Sequence, residues 1–401
     1  MLFANLAFRR LFTAQVVALV GTGLLTVALG LLAYDIAGSS AGAVLGTALA
    51  IKMIAYVFVA PIVSSLTNSL PRKLVLVTAD TVRALTALAL PFVDQVWQIY
   101  VLIFVLQAAS ATFTPTFQAV IPSVVPDEKQ YTRALTLSRL AYDLESLVSP
   151  LIAAALLTVI GFHTLFVGTA AGFVVSAVMV LGTALPKHTA VHRERPTTGI
   201  VTFTKNHELQ GLLALNTVVA AATALVMVNS VVYVRDLFGG GSSQLAIALG
   251  FYGAGSMAAA LLIPRALERI SDHTLMLAGA AVAVAGAAAA TAVATLHGGS
   301  AAWFALATTW LLLGIGTSMI NTPSARILRR ESNERTRTSI FTAQFSLSHA
   351  AFLVTYPVAG WVGAQFGQFT AAAVLTALAT LAALSAARLW SRSRDPVVAS
   401  A

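Results

Sequence analysis

Residues 186–208 read PKHTAVHRERPTTGIVTFTKNHE, and they form the longest polar segment of a 401-residue chain. The sequence on both sides is strongly apolar. Of all residues 58% are hydrophobic and 10% are charged, whereas a typical soluble domain has about 25% charged residues. The polar segment therefore divides a membrane-type sequence into two halves of similar length. We expect a first bundle over 1–185, a linker over 186–208, a second bundle over 209–390 and a tail over 391–401.

Apolar runs long enough to cross a bilayer occupy both halves, because a helical crossing needs about 20 apolar residues. Six runs precede the polar segment and six follow it. We number them span 1 to span 12, with expected limits 11–34, 42–66, 74–93, 97–121, 134–158, 162–184, 209–234, 244–264, 274–296, 301–323, 336–360 and 366–388. The pattern predicts an all-α polytopic membrane protein with twelve transmembrane helices in two six-helix bundles.

The basic residues are distributed unevenly between the two sides of the predicted membrane. With a cytoplasmic N-terminus, all but four of the 24 lysines and arginines fall in cytoplasmic segments, the exceptions being Lys52, Arg83, Arg139 and Arg235. Cytoplasmic loops of membrane proteins carry such an excess. We therefore expect both termini in the cytoplasm. The net charge of +9 then indicates topology and lipid contact rather than a nucleic-acid partner. The alanine-rich, cysteine-free composition favours a bacterial inner membrane.

An internal repeat relates the two halves. Thr114-Pro115 in span 4 is followed by Pro150 in span 5, and Thr322-Pro323 in span 10 is followed by Pro357 in span 11. Each pair brackets a charged cytoplasmic loop. Duplicated halves with prolines at matching depths are typical of transporters that hold a central site between two bundles. We expect pseudo-symmetric bundles.

Four stretches carry a resemblance to a known family. They are NLAFRRLFTAQVVALVGTGL (5–24), FTPTFQAVIPSVVPDEKQYTRAL (113–135), SPLIAAAL (149–156) and GFYGAGSMAAALL (250–262). They resemble the drug/proton antiporter branch of the major facilitator superfamily, which includes multidrug, macrolide and siderophore exporters and nickel-resistance relatives. The resemblance implies a secondary transporter that exports a small hydrophobic or amphipathic organic solute by proton antiport and alternating access.

The loop between spans 2 and 3 departs from that family. In the family it reads like G-x-L-A-D-R-x-G-R-R, and its charges latch the cytoplasmic gate. Here the loop reads SSLTNSLPRK (64–73), with Asn68 in place of the aspartate. Of the family's charged residues, only the two basic residues at the end of the motif remain, as Arg72 and Lys73. The resemblance therefore implies a gating loop at Asn68, Arg72 and Lys73 that has lost its acidic residue.

Three ionisable residues lie within span 5, in the stretch LSRLAYDLESLVSP (137–150). A lone charge at the centre of a span costs about 2.5–3.5 kcal/mol on insertion scales, so such residues face protein or water. Arg139 and Asp143 are four positions apart on one helix face, and we expect them to pair. Glu145 points to another side of the helix and needs a separate partner.

Further ionisable residues within the predicted spans are Lys52, Asp80, Arg83 and His349. Asp80 and Arg83 are three positions apart, so we expect them to pair. With span 5 they form a candidate proton-coupling network, in which Asp143 or Glu145 exchanges a proton as Lys52 approaches or leaves. A static network that fixes helix positions fits the pattern equally well. Packing is the simpler interpretation of His349.

Polar and aromatic residues within the spans are candidates for lining a substrate cavity. They are Gln15, Thr22, Thr26, Gln107, Gln118, Tyr142, Asn216, Asn229, Trp310, Asn321 and Gln344. For each one alone, hydrogen bonding or packing between helices is the favoured interpretation. As a set they predict a mostly apolar cavity with sparse polar anchors, which suits a hydrophobic or amphipathic solute.

Alternatives with the same fold stay open at this stage. A nickel- or cobalt-type metal-ion exporter is disfavoured because the chain has no cysteine and no histidine-rich tail. An importer or a lipid flippase is compatible with the pattern. An enzyme is not expected, since neither H-E-x-x-H nor G-x-S-x-G occurs. We expect a monomer whose partners are a small-molecule substrate, protons and the lipid bilayer, with no cofactor and no resident metal.

Overall fold

The computed structural model describes residues 3, 5–59, 70–125, 151–185, 197–296, 298–332 and 337–392, with isolated positions between 130 and 149. All regular elements within these ranges are helical. Residues 60–69, 186–196 and 393–401, and most of span 5, lie outside the described residues.

The helices follow the predicted spans closely. In the first half they are Leu6–Ala37, Ala41–Ile54, Arg72–Ala89, Val96–Val124 and His163–Leu181. In the second half they are His207–Val232, Ser242–Ala266, Asp272–Val293, Gly299–Arg330, Arg337–Pro357 and Gly363–Arg392. Short π-helical turns over Ala55–Val59, Tyr233–Leu237 and Val358–Val362 continue spans 2, 7 and 11. A linker helix, Thr197–Lys205, was not expected from the sequence.

Nine stretches of the described residues are long and apolar enough to cross a membrane. Two of them, Leu6–Phe58 and Ala343–Ser391, each contain two spans joined by a tight turn. Gly367 makes the second turn with a φ of 84°, a backbone conformation that strongly favours glycine. The chain therefore has the twelve-helix, two-bundle arrangement of a multi-pass membrane protein, with span 5 largely outside the described residues.

Two opposite faces of the bundle can be defined from the helix ends. We call the end that holds Leu6 of span 1 and Trp390 of span 12 the terminal face, and the other end the opposite face. At the terminal face, Arg10 of span 1 donates a hydrogen bond to the carbonyl oxygen of Gly182, just after span 6. The linker helix packs against span 11, and its Phe203 is fully buried. The terminal face thus joins the first and last helices of the first half.

The apolar core is continuous between the halves, but it divides toward the terminal face. The largest cluster joins span 1 residues such as Leu25 and Leu32 to span 7 residues such as Val228 and Val231. A second cluster, around Phe8, Leu76 and Phe117, contains described residues of the first half alone. A third, around Ile263 and Leu275, contains described residues of the second half alone. The shared cluster reaches the terminal face through residues of the linker helix and the second half, such as Phe203 and Trp390, whereas Phe8 and Phe117 of the first half lie in the separate second cluster.

Glycines allow spans 2 and 11 to touch at the opposite face. A methyl group added at Gly46 would lie 2.5 Å from the carbonyl oxygen of Tyr356 and 3.1 Å from Cα of Gly360. Beside this contact, Trp361 Nε1 donates a hydrogen bond of 2.9 Å to Thr47 Oγ1. Such close approach of two backbones requires small residues, as in other membrane helix pairs. In this conformation the bundle is closed at the opposite face.

Candidate functional site

An aromatic wall lies between the two halves. It consists of Tyr56 at the end of span 2 and of Phe345, His349, Phe352 and Tyr356 along span 11. The span 11 residues recur at intervals of four, three and four positions, so they share one helix face. Successive ring centroids are 4.1 Å apart for Phe345–His349, 6.4 Å for His349–Phe352 and 5.1 Å for Phe352–Tyr356. The Tyr56 ring lies 5.5 Å from His349.

Lys52 adds a positive charge to this wall. Its Nζ lies 5.8 Å from the centroid of the Tyr56 ring, within reach of a cation–π interaction. Lys52 is eleven residues after the start of the span 2 helix at Ala41, which places it about 16 Å along the helix and near mid-depth of the bilayer. Lys52 and His349, which the sequence placed within predicted spans, thus lie at one surface, and their part in proton coupling stays a prediction.

The His349 ring has a defined tautomer. Its Nδ1 lies 2.6 Å from the carbonyl oxygen of Phe345, one turn earlier. A carbonyl oxygen only accepts, so Nδ1 carries the proton and Nε2 remains as the ring atom that can meet a ligand. The ring also packs between Tyr56 and Phe345, at interplanar angles of 48° and 37°. Packing and ligand contact are therefore compatible roles for His349.

A cluster of hydroxyl groups lies across spans 7, 8 and 10. The Tyr252 hydroxyl lies 3.2 Å from Thr223 Oγ1 and 3.2 Å from Thr317 Oγ1. Tyr252 and Thr317 are buried, and Thr223 is half-buried. Sequence reasoning missed this cluster and the aromatic wall apart from His349. Aromatic residues repeating at helical spacing in span 11 were the available signal.

The predicted pair of Asp80 and Arg83 is confirmed. The Arg83 guanidinium donates to Asp80 Oδ1, and both side chains are buried. The guanidinium carbon also lies 4.2 Å from the Phe113 ring centroid and 4.4 Å from that of Phe173. These rings belong to spans 4 and 6, so the pair sits inside the first half rather than facing the second. Its surroundings favour a structural role over direct proton coupling.

Two expected cavity residues form hydrogen bonds between helices in this conformation. Trp310 is fully buried, and its Nε1 donates a hydrogen bond of 2.6 Å to Ser230 Oγ. Asn229 is also fully buried, and its amide nitrogen donates to the carbonyl oxygen of Ala359 at 3.0 Å and to Gln368 Oε1 at 2.6 Å. The Asn229 carbonyl oxygen Oδ1, in contrast, is a buried atom without a hydrogen-bond partner among the described residues. The cavity roles of both residues stay predictions.

The candidates in span 1 also bond within the protein. Gln15 is buried, and its Oε1 accepts a hydrogen bond of 2.5 Å from the Ser138 hydroxyl of span 5. Thr22 and Thr26 donate to carbonyl oxygens one turn earlier in their own helix, at 3.0 and 3.1 Å. Their half-buried side chains remain compatible with a lining role. Gln15 instead connects spans 1 and 5.

The remaining described candidates differ in exposure. Gln107 and Asn216 are buried, and Asn321 is exposed. Asn216 Nδ2 and Gln344 Oε1 are buried polar atoms without a hydrogen-bond partner among the described residues. Buried polar groups are usually hydrogen-bonded, so these two atoms are candidates for contact with water or a ligand.

Several predicted site residues lie outside the described residues. They are Asn68 of the gating loop and Arg139, Tyr142, Asp143 and Glu145 of span 5. Gln118 lies within the Val96–Val124 helix, but its side chain is also outside the description. Arg72 and Lys73 are half-buried at the start of span 3. The roles of all these residues in gating, proton coupling or the cavity stay predictions.

An ion-pair network that the sequence did not reveal ties the terminal face of the second half together. Glu208 Oε2 at the start of span 7 lies 2.6 Å from His273 Nε2 and 3.2 Å from Arg330 Nη2. Asp272 Oδ1 lies 2.9 Å from Arg326 Nε. These residues come from the ends of spans 7, 9 and 10, which are distant in sequence. The network therefore holds together helix ends whose proximity cannot be predicted from the spacing of residues in the sequence. No group of three or more potential metal ligands occurs in the part of the chain that the structure describes.

Comparison with known sequences assigns both halves to one family. The sequence profile of the Major Facilitator Superfamily matches residues 11–214 and, a second time, residues 212–400. Macrolide efflux protein A of Streptococcus pyogenes is 27% identical over 188 residues, which make up 46% of this chain and 46% of that protein. Macrolide efflux protein A of Enterococcus faecalis is 28% identical over 153 residues, or 36% of this chain and 47% of that protein. The matched region spans less than half the length of these relatives.

Comparison with solved structures extends over almost the whole chain. The nucleoside transporter NupG superposes with a TM-score of 0.72 at 15% identity, covering 98% of this chain and 100% of that one. A bacterial homologue of the human lysosomal transporter Spinster, in an inward-facing and unoccupied conformation, superposes with a TM-score of 0.75 at 12% identity, covering 98% of each chain. At such identities the likeness shows the fold alone.

Proposed function

Because the chain belongs to the major facilitator superfamily, we propose that it is a secondary active exporter of a small hydrophobic or amphipathic organic solute. The observation that carries the proposal is the aromatic wall between two halves that touch at the opposite face. A solute entering from the terminal face would meet Tyr56 and Phe345 on the way to the closed contact. Similarity to macrolide efflux proteins makes a macrolide the first compound to test.

Transport would proceed by alternating access. Separation of spans 2 and 11 at Gly46 and Gly360, with approach of the two halves at the terminal face, would turn the site from one side of the membrane to the other. The division of the core toward the terminal face supports this motion, because Phe8 and Phe117 of the first half form a cluster of their own there, separate from the second half, which leaves the halves able to approach each other.

Proton entry would supply the energy. We place the proton carrier in span 5, at Asp143 or Glu145, with Lys52 as the cation whose approach and withdrawal change the carboxyl group's affinity for a proton. Intramembrane carboxyl groups commonly serve in such relays. The protein would work as a monomer in a bacterial inner membrane with both termini in the cytoplasm, as the distribution of lysines and arginines indicates.

Purified protein in proteoliposomes tests the proposal. With an imposed pH gradient, we expect uptake of a radiolabelled macrolide or a lipophilic fluorescent dye into liposomes that are acidic inside, accompanied by proton exit. Glu145→Gln and Asp143→Asn, made separately, should show which carboxyl group is required, and Lys205→Gln on the exposed linker helix serves as the matched control.

Three results would count against the proposal. Flux that ignores the pH gradient would indicate a facilitator. Full gradient-driven flux in both span 5 variants would remove the proton-carrier assignment. Gradient-driven flux of nickel, cobalt or a labelled lipid, without flux of organic solutes, would favour the metal-exporter or flippase alternative.

A further inference from the structure

Polar side chains recur every seven residues where spans 7 and 10 face each other. Span 7 carries Asn216, Thr223 and Ser230, and span 10 carries Trp310, Thr317 and Ser324. Seven residues are close to two helical turns, so each set lies along one face of its helix. The two helices run in opposite directions, since span 7 begins and span 10 ends at the terminal face. Opposing members of the two sets therefore form the rungs of a ladder.

Two rungs of this ladder are closed by hydrogen bonds. At the first rung, Trp310 Nε1 donates to Ser230 Oγ at 2.6 Å. At the second rung, the Tyr252 hydroxyl of span 8 lies 3.2 Å from the hydroxyl oxygens of both Thr223 and Thr317. Thr223 is half-buried, and the other side chains of these two rungs are buried. The polar groups of both rungs therefore satisfy one another inside the bundle.

The third rung is open. A further step of seven residues on each helix brings Asn216 opposite Ser324. Asn216 is 4% exposed, yet its Nδ2 makes no hydrogen bond with Ser324 or with any other described residue. The Ser324 hydroxyl donates to the carbonyl oxygen of Ile320 at 2.8 Å, so its oxygen can only accept a further bond. Because a buried donor without an acceptor is unfavourable, the third rung favours a molecule that supplies one.

Asn321 makes this rung accessible. It follows Thr317 by four residues and precedes Ser324 by three, so the three side chains share one face of span 10. Thr317 and Ser324 are buried, whereas Asn321 is exposed. The face of span 10 that meets span 7 is therefore open beside the third rung, although it is closed at the other two. We call Asn216, Asn321 and Ser324 the amide site.

The described helices of spans 7 to 10 carry no charged residue in their middle turns. Their acidic and basic residues and histidines lie near helix ends: His207, Glu208, Arg235, Asp236, Arg265, Asp272, His273, Arg326, Arg329 and Arg330. Arg326, two residues beyond the amide site, pairs with Asp272 of span 9 at 2.9 Å. An ionised group would lose its hydration at the amide site without gaining an opposite charge. A hydroxyl, carbonyl or amide group can instead bond both asparagines, because each offers a donor and an acceptor.

We propose that the amide site selects the solute by binding an uncharged hydroxyl, carbonyl or amide group. An oxygen of that group would accept a hydrogen bond from Asn216 Nδ2, which lacks an acceptor within the described protein. A second polar group of the solute would bond the exposed amide of Asn321. The inference rests on the proposed function, because it names the class of solute that the exporter carries: amphipathic molecules with uncharged polar groups.

Three naphthalenes of equal size, substituted at the same two ring positions, test the preference. Naphthalenedimethanol has two hydroxyl groups, (ethylnaphthyl)methanol has one, and diethylnaphthalene has none. Equilibrium dialysis with naphthalene fluorescence measures their binding to full-length protein in detergent, relative to protein-free micelles. We expect the diol to bind about tenfold more tightly than diethylnaphthalene, as the net strength of one or two hydrogen bonds implies. The compound with one hydroxyl should fall between them.

Leucine variants assign the preference to the asparagines, because leucine has a similar size and forms no side-chain hydrogen bonds. Asn216→Leu and Asn321→Leu should each lower the preference for the diol to about threefold, and the double variant should abolish it. Thr217→Val is the matched control, since Thr217 follows Asn216 on another side of the helix and donates to the carbonyl oxygen of Leu213. It should leave the preference unchanged.

Diethylnaphthalene separates recognition from structural damage. Its affinity should stay the same in all variants, whereas a purely structural role of the asparagines would weaken all three probes alike. Size-exclusion profiles show whether each variant folds. Because Asn321 is exposed, Asn321→Leu still gives a reading if Asn216→Leu does not fold.

Three outcomes would overturn the inference: equal binding of the three probes by the unmodified protein, a diol preference that persists in the double variant, or equal weakening of all probes. Failure of the inference is separable from failure of the proposed function. If proteoliposomes show pH-driven transport but the diol preference is absent, only the solute class falls. If the preference follows the asparagines but no pH-driven flux occurs, the antiport proposal falls while the amide site stands.

Discussion

Asn5 and Asn206 make equivalent contacts in the two halves of the chain. Each caps the first helix of its half: Asn5 Oδ1 accepts from the backbone N–H groups of Ala7 and Phe8, and Asn206 Oδ1 from those of Glu208 and Leu209. Each also donates from Nδ2 to the end of the fourth helix, to the Val124 carbonyl oxygen at 3.0 Å and to Glu331 Oε2 at 2.8 Å. The repeat seen in the sequence thus extends to single hydrogen bonds.

Variants of Asn206 separate its two contacts. Asn206→Ala removes both the cap and the bond to Glu331, so we expect a loss of about 1–2 kcal/mol in unfolding free energy. Asn206→Ser can still cap the helix and should lose less. Asn206→Asp caps well but places two carboxylates together, so its stability should depend on salt more than that of the other variants. Thermal unfolding in detergent measures all three. Equal losses for alanine and serine would contradict the capping role.

Because Asp80 and Arg83 form a buried pair, we expect the loss of one partner to lower the unfolding free energy strongly. Arg83→Ala leaves an uncompensated carboxylate in a buried site, and we expect a loss of about 3–5 kcal/mol. Arg83→Lys should be intermediate, because a lysine lacks the planar group that lies between Phe113 and Phe173.

The double variant Asp80→Asn with Arg83→Gln controls for loss of charge. It should be more stable than Arg83→Ala alone, since no unpaired charge remains in the bundle. The measurement compares the thermal midpoints of Arg83→Ala, of the two single variants Asp80→Asn and Arg83→Gln, and of the double variant, all purified side by side. Additive losses in the double variant would show that the two side chains do not depend on each other.

The close contact of Gly46 with Gly360 predicts that these two glycines keep the opposite face closed. A Gly46→Ala change places a methyl group 2.5 Å from the Tyr356 carbonyl oxygen, so spans 2 and 11 must separate. The chain has no cysteine, which allows a single reporter to be introduced. Leu245→Cys is buried at the opposite face, and a membrane-impermeant maleimide should label it slowly. In the Gly46→Ala background labelling should rise several-fold.

Gly161→Ala is the matched control for the glycine experiment. An added methyl group at Gly161 would meet no heavy atom within 4 Å, so labelling of the same reporter should stay at its original rate. An unchanged rate in the Gly46→Ala protein would mean that the spans 2 and 11 contact does not hold the opposite face closed.

The predicted orientation can be measured with two further cysteines. Ser39 lies in the turn between spans 1 and 2 at the opposite face, and Lys205 ends the linker helix at the terminal face. Both are exposed. With cytoplasmic termini, impermeant maleimide should label Ser39→Cys in intact cells and Lys205→Cys only after the membrane is opened. The reverse pattern would invert the topology and the direction of transport.

Much of the fold followed from the sequence because the bilayer is a demanding solvent. Backbone groups in the hydrocarbon region must be satisfied within a helix, so the length and position of each apolar run set the helices. Span 7 was expected over 209–234, and the structure has a helix with a π-helical turn over His207–Leu237. Span 9 was expected over 274–296, and its helix covers Asp272–Val293. The pairing of Asp80 with Arg83 was predictable for a similar reason, since both residues lie on one turn of one helix.

The contacts at the site could not be predicted from the spacing of residues along single helices, because they join different helices. Trp310 and Asn229 are residues with polar groups in apolar spans, and only the tertiary structure showed that their N–H groups donate to Ser230, Ala359 and Gln368. The aromatic wall likewise forms where span 2 contacts span 11, although Tyr56 and Phe345 are far apart in the sequence. Local sequence fixes the face of a helix on which a side chain lies. The neighbour of that face is decided by packing among twelve helices, where dispersion contacts and interhelical hydrogen bonds select one arrangement.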